Sequence, residues 1–389
     1  MSTTIDNYKS PDSLSWPGWL EDAQETGIWD ESQPVAESFK ILERPEVQWR
    51  HVQPWLESQG YMLRPRFRPG WIPSWTKKKN ASPVFFEDSV KRVATGAGVA
   101  IDAIQISTGR RVCLKRIPGK AEDSNELKIT QFLSDLRDKD PRNHSVPLLD
   151  VIHAPDHIFL VFPLYRTLIN GAEKLDTLGE GFDFVDQTLE VVTSFYVPSV
   201  LFKSAIYRVL FFFMRWVSHI DALSRDARGQ RLTGVRTRTQ VGGVKYYYTD
   251  FGESMRFESS DNVRIDVWSK AGIHAPETKG RDRPPYDPFK ADIYTLGTVY
   301  TTLFLKEYER NFNVLTPLLN EMTSNDPALR PSAAQALSKF REIKSSFSRT
   351  ALHARVRRGT TPETGAQRIF RGGWHWLKQY AYAARNFKW

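Results

Sequence analysis

The sequence predicts an α+β chain: a small lobe of antiparallel strands carrying one helix, followed by a larger, mostly helical lobe. Three stretches carry that reading. VAIDAIQIS and RRVCLKRI alternate apolar and polar residues around Thr108-Gly109, the pattern of a hairpin. Ser124 then precedes NELKITQFLSDL, whose apolar residues at 127, 129, 133 and 136 recur at helical spacing behind a capping hydroxyl. Beyond Phe182 the alternation gives way to helical runs at 291–300, 312–322 and 332–340.

The remaining elements follow in chain order. Residues 1–83 read as an extension. Its first forty residues, rich in Ser, Asp, Glu and Pro, are expected to be a mostly flexible arm. Residues 53–57 start a short helix that Gly60 ends. Residues 64–75, with three prolines among arginines and aromatics, are expected to be an extended strap that packs Trp71 and Trp75. The competing reading has Arg64, Arg66 and Arg68 grip phosphates. Residues 84–164 supply the small lobe, with five strands and a helix, the last two strands joined by a turn at 153–156. The larger lobe spans 165–345, and 346–389 form a basic, aromatic tail.

Composition bounds the function. The hydrophobic fraction of 40% and charged fraction of 25% are those of a globular protein with a sizeable core. Cys113 is the single cysteine, so no disulfide forms within the chain, which suits a reducing intracellular setting, cytoplasmic or nuclear. The first thirty residues show no apolar core of signal-peptide type. The net charge of +9 is local: from residue 341 onward eleven Lys and Arg face two Glu, while the first 340 residues carry 43 charges of each sign. A neutral body argues against a nucleic-acid binder throughout.

In order, these segments resemble the eukaryotic protein kinases. The resemblance rests on VCLK ending in Lys115, on Glu126 in the next helix, on Asp250-Phe251-Gly252, on Ala275-Pro276-Glu277, on Asp292 in DIYTLG and on Arg330 in DPALRPS. It implies a two-lobed protein-kinase-like fold that binds ATP and Mg2+ and transfers a phosphoryl group to Ser or Thr of a protein. It assigns Lys115 to the α- and β-phosphates, Glu126 to holding that lysine, and Asp250 to Mg2+. Phe251 and Gly252 complete the turn, Glu277 pairs with Arg330, and Asp292 is the buried aspartate near the start of the central helix. ATGAGVA stands where the family has a glycine-rich loop, with Gly96 and Gly98. These glycines read equally as a phosphate loop and as a plain turn. Phe162-Pro163-Leu164 falls at the adenine-contacting hinge, where Phe162 and Leu164 can offer backbone groups. The strap YMLRPRFRPGWIPSW, HSVPLLDVI and YDPFKADIYTLG resemble a large family of fungal kinase-like proteins.

The catalytic loop departs from the pattern, for no His-Arg-Asp occurs anywhere in the chain. His219-Ile220-Asp221, with Asp226 five residues on, is the nearest match; it makes Asp221 the candidate base and Asp226 a second metal ligand. The surrounding region, 191–230, contains an apolar run, 191–217, interrupted by Lys203, Arg208 and Arg215 and broken by Pro198. Its longest uncharged stretch is too short to span a membrane, so a buried helix is expected and no transmembrane segment. This run stands in place of the catalytic loop, through divergence or a misplaced splice boundary. Without the loop, the alternative is a pseudokinase or scaffold that binds nucleotide or partners without catalysis. In the tail, 369–389 suggest a short amphipathic helix after Gly373, and basic with aromatic residues suit an anionic membrane surface or nucleic acid; a solvated end with a few docked aromatics is the plain alternative.

Overall fold

The computed structural model describes residues 14–89, 98–137, 139–165, 175–196, 200–201, 237–239, 242–257, 262–267, 273–280, 283–308, 310–359 and 362–386. The architecture mixes helices with a five-stranded antiparallel sheet. The chain divides into two compact units: one holds the described residues up to Lys128 together with 146–165, the other 129–145 and those from 175 onward.

In the first unit the sheet runs β1 (Tyr61–Leu63), β2 (Ala100–Gln105), β3 (Arg110–Pro118), β5 (His157–Pro163) and β4 (Asp150–His153). The expected hairpin forms β2 and β3, in register Ile101 to Leu114 and Ala103 to Val112. β3 in turn pairs with β5, setting Lys115 opposite Leu160. Pleat alternation sends Val112, Leu114, Phe159 and Val161 to one face, where they are buried with α1 (Arg44–Ser58) through Trp49, Val52, Trp55 and Leu56. The neighbours Cys113 and Lys115 therefore go to the other face.

Three expectations change here. The fifth strand is β1, from the extension, and not a segment after Pro83; the described residues there are two 3-10 turns, Pro83–Phe85 and Glu87–Ser89. Leucine and tyrosine of β1 are buried between β2 and α1, and that burial stabilises so short an edge. The described part of the arm is fixed: Trp16 Nε1 donates to Asp156 Oδ1 at 2.6 Å and stacks edge-on to Trp55, while Trp19 is buried edge-on against Trp49. Its indoles supply apolar burial that the acidic composition masks. Finally, α1 begins at Arg44 and passes through Pro54. Pro45 sits in its first turn and Glu43 and Glu46 form a reciprocal cap.

The strap behaves as a strap, built on 3-10 turns at Pro65–Phe67 and Ser74–Lys77, with Trp75 buried. Its arginines serve the fold. Arg64 Nε meets both Asp102 oxygens at 2.9 and 2.8 Å. Arg66 and Glu46, both 0% exposed, pair at 2.9 Å, and the same guanidinium donates to the carbonyls of Phe39 and Ile41. Arg68 Nε donates to the Leu63 carbonyl. These buried guanidiniums are committed to internal acceptors, which removes the phosphate-gripping alternative for Arg64 and Arg66.

The second unit is helical. α2 (Asn125–Leu136) contributes Ile129 and Leu133 to its core, along with α3 (Leu178–Tyr196), α4 (Pro288–Tyr300), α5 (Thr316–Met322) and α6 (Ala333–Ser345). α4 starts three residues before the expected run, because Asp287 accepts from Phe289 and Lys290 and Pro288 opens the helix, while Ser332 with Gln335 boxes α6 at the expected start. Arg341 and Lys344 of α6 bind Asp186, Glu190 and Asp183 of α3 at 2.7–3.0 Å. Of the run 191–217, residues to Tyr196 belong to α3, and Val200–Leu201 pairs with Met255–Arg256; positions 202–217 lie outside the described residues. α7 (Gly365–Asn386) starts eight residues before Gly373, because Thr364 and Gln367 cap it reciprocally. Among the described residues, no helix is long and apolar enough to cross a membrane.

Candidate functional site

The candidate functional residues fall in both units. In the first, a tight connection leads from β3 into α2. Gly119 takes φ +94°, Ala121–Asp123 makes one 3-10 turn, and Ser124 Oγ then accepts from Leu127 N at 3.1 Å to open the helix. This brings Glu126, on the first turn, directly onto Lys115. Their Nζ and Oε1 form an ion pair, with side chains 14% and 10% exposed. Eleven residues thus suffice to join strand lysine to helix glutamate. A cation so held has lost most of its rotational freedom and offsets negative charge placed beside it at little further entropic cost.

Gly98 is the surprise. It has φ +65°, and its carbonyl accepts from the buried Trp49 indole at 2.8 Å. A Cβ at this position would lie 2.4 Å from the Cβ of Pro45. The glycine is required, but the group that approaches it is the first turn of α1. Neither Pro45 nor Trp49 was flagged by any motif; the only local signal was the Pro and Glu pattern of a helix start. Gly96 lies outside the described residues. At the end of β5, buried Phe162 pairs with Cys113, and Leu164 N–H donates to the Arg111 carbonyl at 3.4 Å. Burial and nearby Asp102 push the Cys113 thiol up to about 12, so it stays protonated and unreactive.

In the second unit, Tyr248, two residues before Asp250, forms an isolated parallel bridge with Ser145. Side chains hold this segment: Gln187 Oε1 accepts from Tyr246 N at 3.0 Å, and Tyr248 OH donates to the Thr188 carbonyl at 3.2 Å. Asp250 follows in the left-handed region, φ +66° and ψ +62°, one of three described non-glycine residues with positive φ. Aspartate adopts this conformation at lower cost than most side chains, and such conformations cluster at functional sites. Phe251 is buried 6.4 Å from Phe195, anchoring the turn, and Gly252 is exposed.

Glu277 and Arg330 come together as expected. Nη1 and Nη2 donate to Oε1 and Oε2 at 2.6 and 2.8 Å. The guanidinium also donates to the carbonyls of Lys290 and Ser324 at 2.9 and 2.8 Å and lies 4.8 Å from the Tyr294 ring. Asp292 is buried on α4 and contributes, after burial and Tyr300, to holding the Tyr248 phenol far above its usual range. Asp221 and Asp226 lie outside the described residues. The chain matches no protein-family model and no curated protein.

Proposed function

We propose that the chain has a protein-kinase-like fold, binds ATP with Mg2+, and transfers the γ-phosphoryl group to a protein Ser or Thr. The observation that carries this reading is the Lys115–Glu126 ion pair between the central strand of a five-stranded antiparallel sheet and the first turn of the following helix. Three further features agree with it: the left-handed Asp250 before a buried phenylalanine, the bidentate Glu277–Arg330 pair, and buried Asp292 on α4.

The donor set suits the nucleotide. Lys115 is a fixed ammonium for the α- and β-phosphates, and Asp250 is a hard carboxylate ligand of the kind Mg2+ prefers. Bound Mg2+ would neutralise charge on the β- and γ-phosphates. Asp221 would accept the proton of the attacking hydroxyl and Asp226 would be the second carboxylate ligand; both assignments rest on the sequence resemblance alone. The test is thermal melting with Mg-ATP. Wild type should gain stability, and Lys115→Ala and Asp250→Asn should show no gain relative to their own melting without nucleotide. No gain in wild type refutes the proposal.

A second reading is favoured by Gly98. Pro45 fills the space a Cβ would take and Trp49 occupies its carbonyl, so the need for glycine here is met by packing on α1 without a phosphate. Joined to the lack of a His-Arg-Asp sequence, this supports a pseudokinase or scaffold that binds nucleotide without transfer. Mg-ATP stabilisation with no labelled phosphate on any added protein, or on the chain itself, would select that reading. Transfer that vanishes in Asp250→Asn would select the first.

A further inference from the structure

The C-terminal helix α7 presents its apolar side outward. Its polar residues are the docked ones: buried His375 donates from Nε2 to the His353 carbonyl at 2.8 Å, and buried Gln379 reaches Asp176 Oδ2 at 3.3 Å. At 100° per residue, Ile369, Phe370, Trp374 and Leu377 fall within one arc of about 140° on the opposite side. They are 80%, 74%, 53% and 58% exposed. Exposed Lys378 borders this arc on one side, and its Nζ sits 5.6 Å from the Trp374 ring. The helix holds four basic residues and no acidic one.

We propose that α7 docks the protein on an anionic lipid bilayer, with this arc buried at the headgroup–acyl boundary. A 22-residue helix of this kind, apolar on one side and basic at the flank, has the make-up of a helix that lies in the interface plane. The apolar arc carries no charge, so nucleic acid would gain little from it, whereas acyl chains would. A second copy of α7 fits poorly, because apposed arcs would bring basic flanks together without an acidic partner. The contacts of His375 and Gln379 fix which way the helix faces. The net charge of the chain, concentrated after residue 341, has the sign that draws this end to anionic lipid.

Full-length protein is sedimented with vesicles of phosphatidylcholine alone and with about 30% phosphatidylserine added. Binding is expected to the second only, and to fall as salt rises. Ile369→Glu and Leu377→Glu should each weaken it at least about tenfold, since each removes a buried aliphatic group. Lys378→Gln should weaken it about fivefold, the contribution of one basic residue at such a surface. All three positions are exposed, so melting temperatures should be unchanged. Equal sedimentation of the glutamate variants overturns the proposal. So does binding to a DNA duplex with none to vesicles, or a dimer in sedimentation velocity that Leu377→Glu dissolves without any vesicle binding.

Discussion

Replacing Arg330 with methionine tests a buried, heavily bonded charge of the second unit. Arg330 is 1% exposed and makes four hydrogen bonds, two to the Glu277 carboxylate and one each to the Lys290 and Ser324 carbonyls. Methionine fills similar volume but leaves the largely buried Glu277 carboxylate without its guanidinium and takes a donor from the Lys290 and Ser324 carbonyls. Breaking a buried pair from one side costs about 3–5 kcal/mol, more than the loss of any single neutral hydrogen bond. For a unit of this size the expected fall in melting temperature is roughly 6–20 °C. Arg330→Lys keeps the charge but not the planar fork and should recover less than half of the loss. Glu277→Met combined with Arg330→Met removes both charges and should be less destabilised than Arg330→Met alone, by about 1 kcal/mol or more. Urea unfolding followed by circular dichroism reads all of these. A cost below about 1 kcal/mol for Arg330→Met, or a double variant worse than the sum of the singles, would refute the reasoning.

Gly98→Ala combines a left-handed backbone with a 2.4 Å approach to Pro45, so a loss of about 2–5 kcal/mol is expected in urea unfolding, with Pro45→Gly relieving the steric part only. Trp49→Phe leaves the Gly98 carbonyl without its donor and should cost about 1–3 kcal/mol by the same measurement. His375 is buried, which opposes its charge, but Asp176 and the His353 carbonyl outweigh burial and Arg355, and its pKa is raised above 6.5. Its contribution is therefore fully present below about pH 6.5 and lost as pH rises through the folded value, so amide protection across 375–383, corrected for the intrinsic base-catalysed rate, should fall from pH 6 to pH 8, and stay level in His375→Gln. Glu363, bound by Arg355 and Arg371, is held near 2 in place of 4.5, so its contribution is complete above pH 4.5 and is lost as pH falls towards 2, with proteolysis around 355–371 rising in that window.

Local chemistry made some elements legible. The β2–β3 hairpin was readable because half-buried strands alternate, α2 because apolar spacing follows its Ser124 cap, and α4 and α6 from their helical runs, although the Asp287 cap that sets the start of α4 went unread. The Lys115–Glu126 pairing was readable from residue types, and its short spacing is met by the tight turn at Gly119. β1 was not readable: three residues have no usable period, and its place depends on β2 and α1 around it. Pro54 looked like the start of a helix whose true start signals lay nine residues earlier at Pro45 and Glu46. The paired glycines at 372–373 looked like a break but lie inside α7, where reciprocal capping and docking of His375 and Gln379 offset their cost of about 1 kcal/mol each. Pro45 over Gly98 had no sequence signal, because a contact 53 residues away is written in neither segment.

These contacts also settle what the extension is. Without α1, the face of the sheet formed by Val112, Leu114, Phe159 and Val161 would be open to water, and those four side chains are each at most 0% exposed in its presence. Burying one such side chain contributes about 1.5–3 kcal/mol, so the four together contribute about 6–12 kcal/mol, comparable to the whole net stability that a small domain retains. Arg64–Asp102 and Arg66–Glu46 add little net stability as buried ion pairs, but they admit one placement of the strap, since any shift would leave charges unpaired in the interior. The apolar face therefore supplies the stabilisation and the buried pairs supply the register. Lys115 and Glu126, on the far side of the same strand layer, depend on both. Their ion pair is positioned by a sheet whose other face is completed from residues 14–63, so the extension belongs to the scaffold of the candidate site.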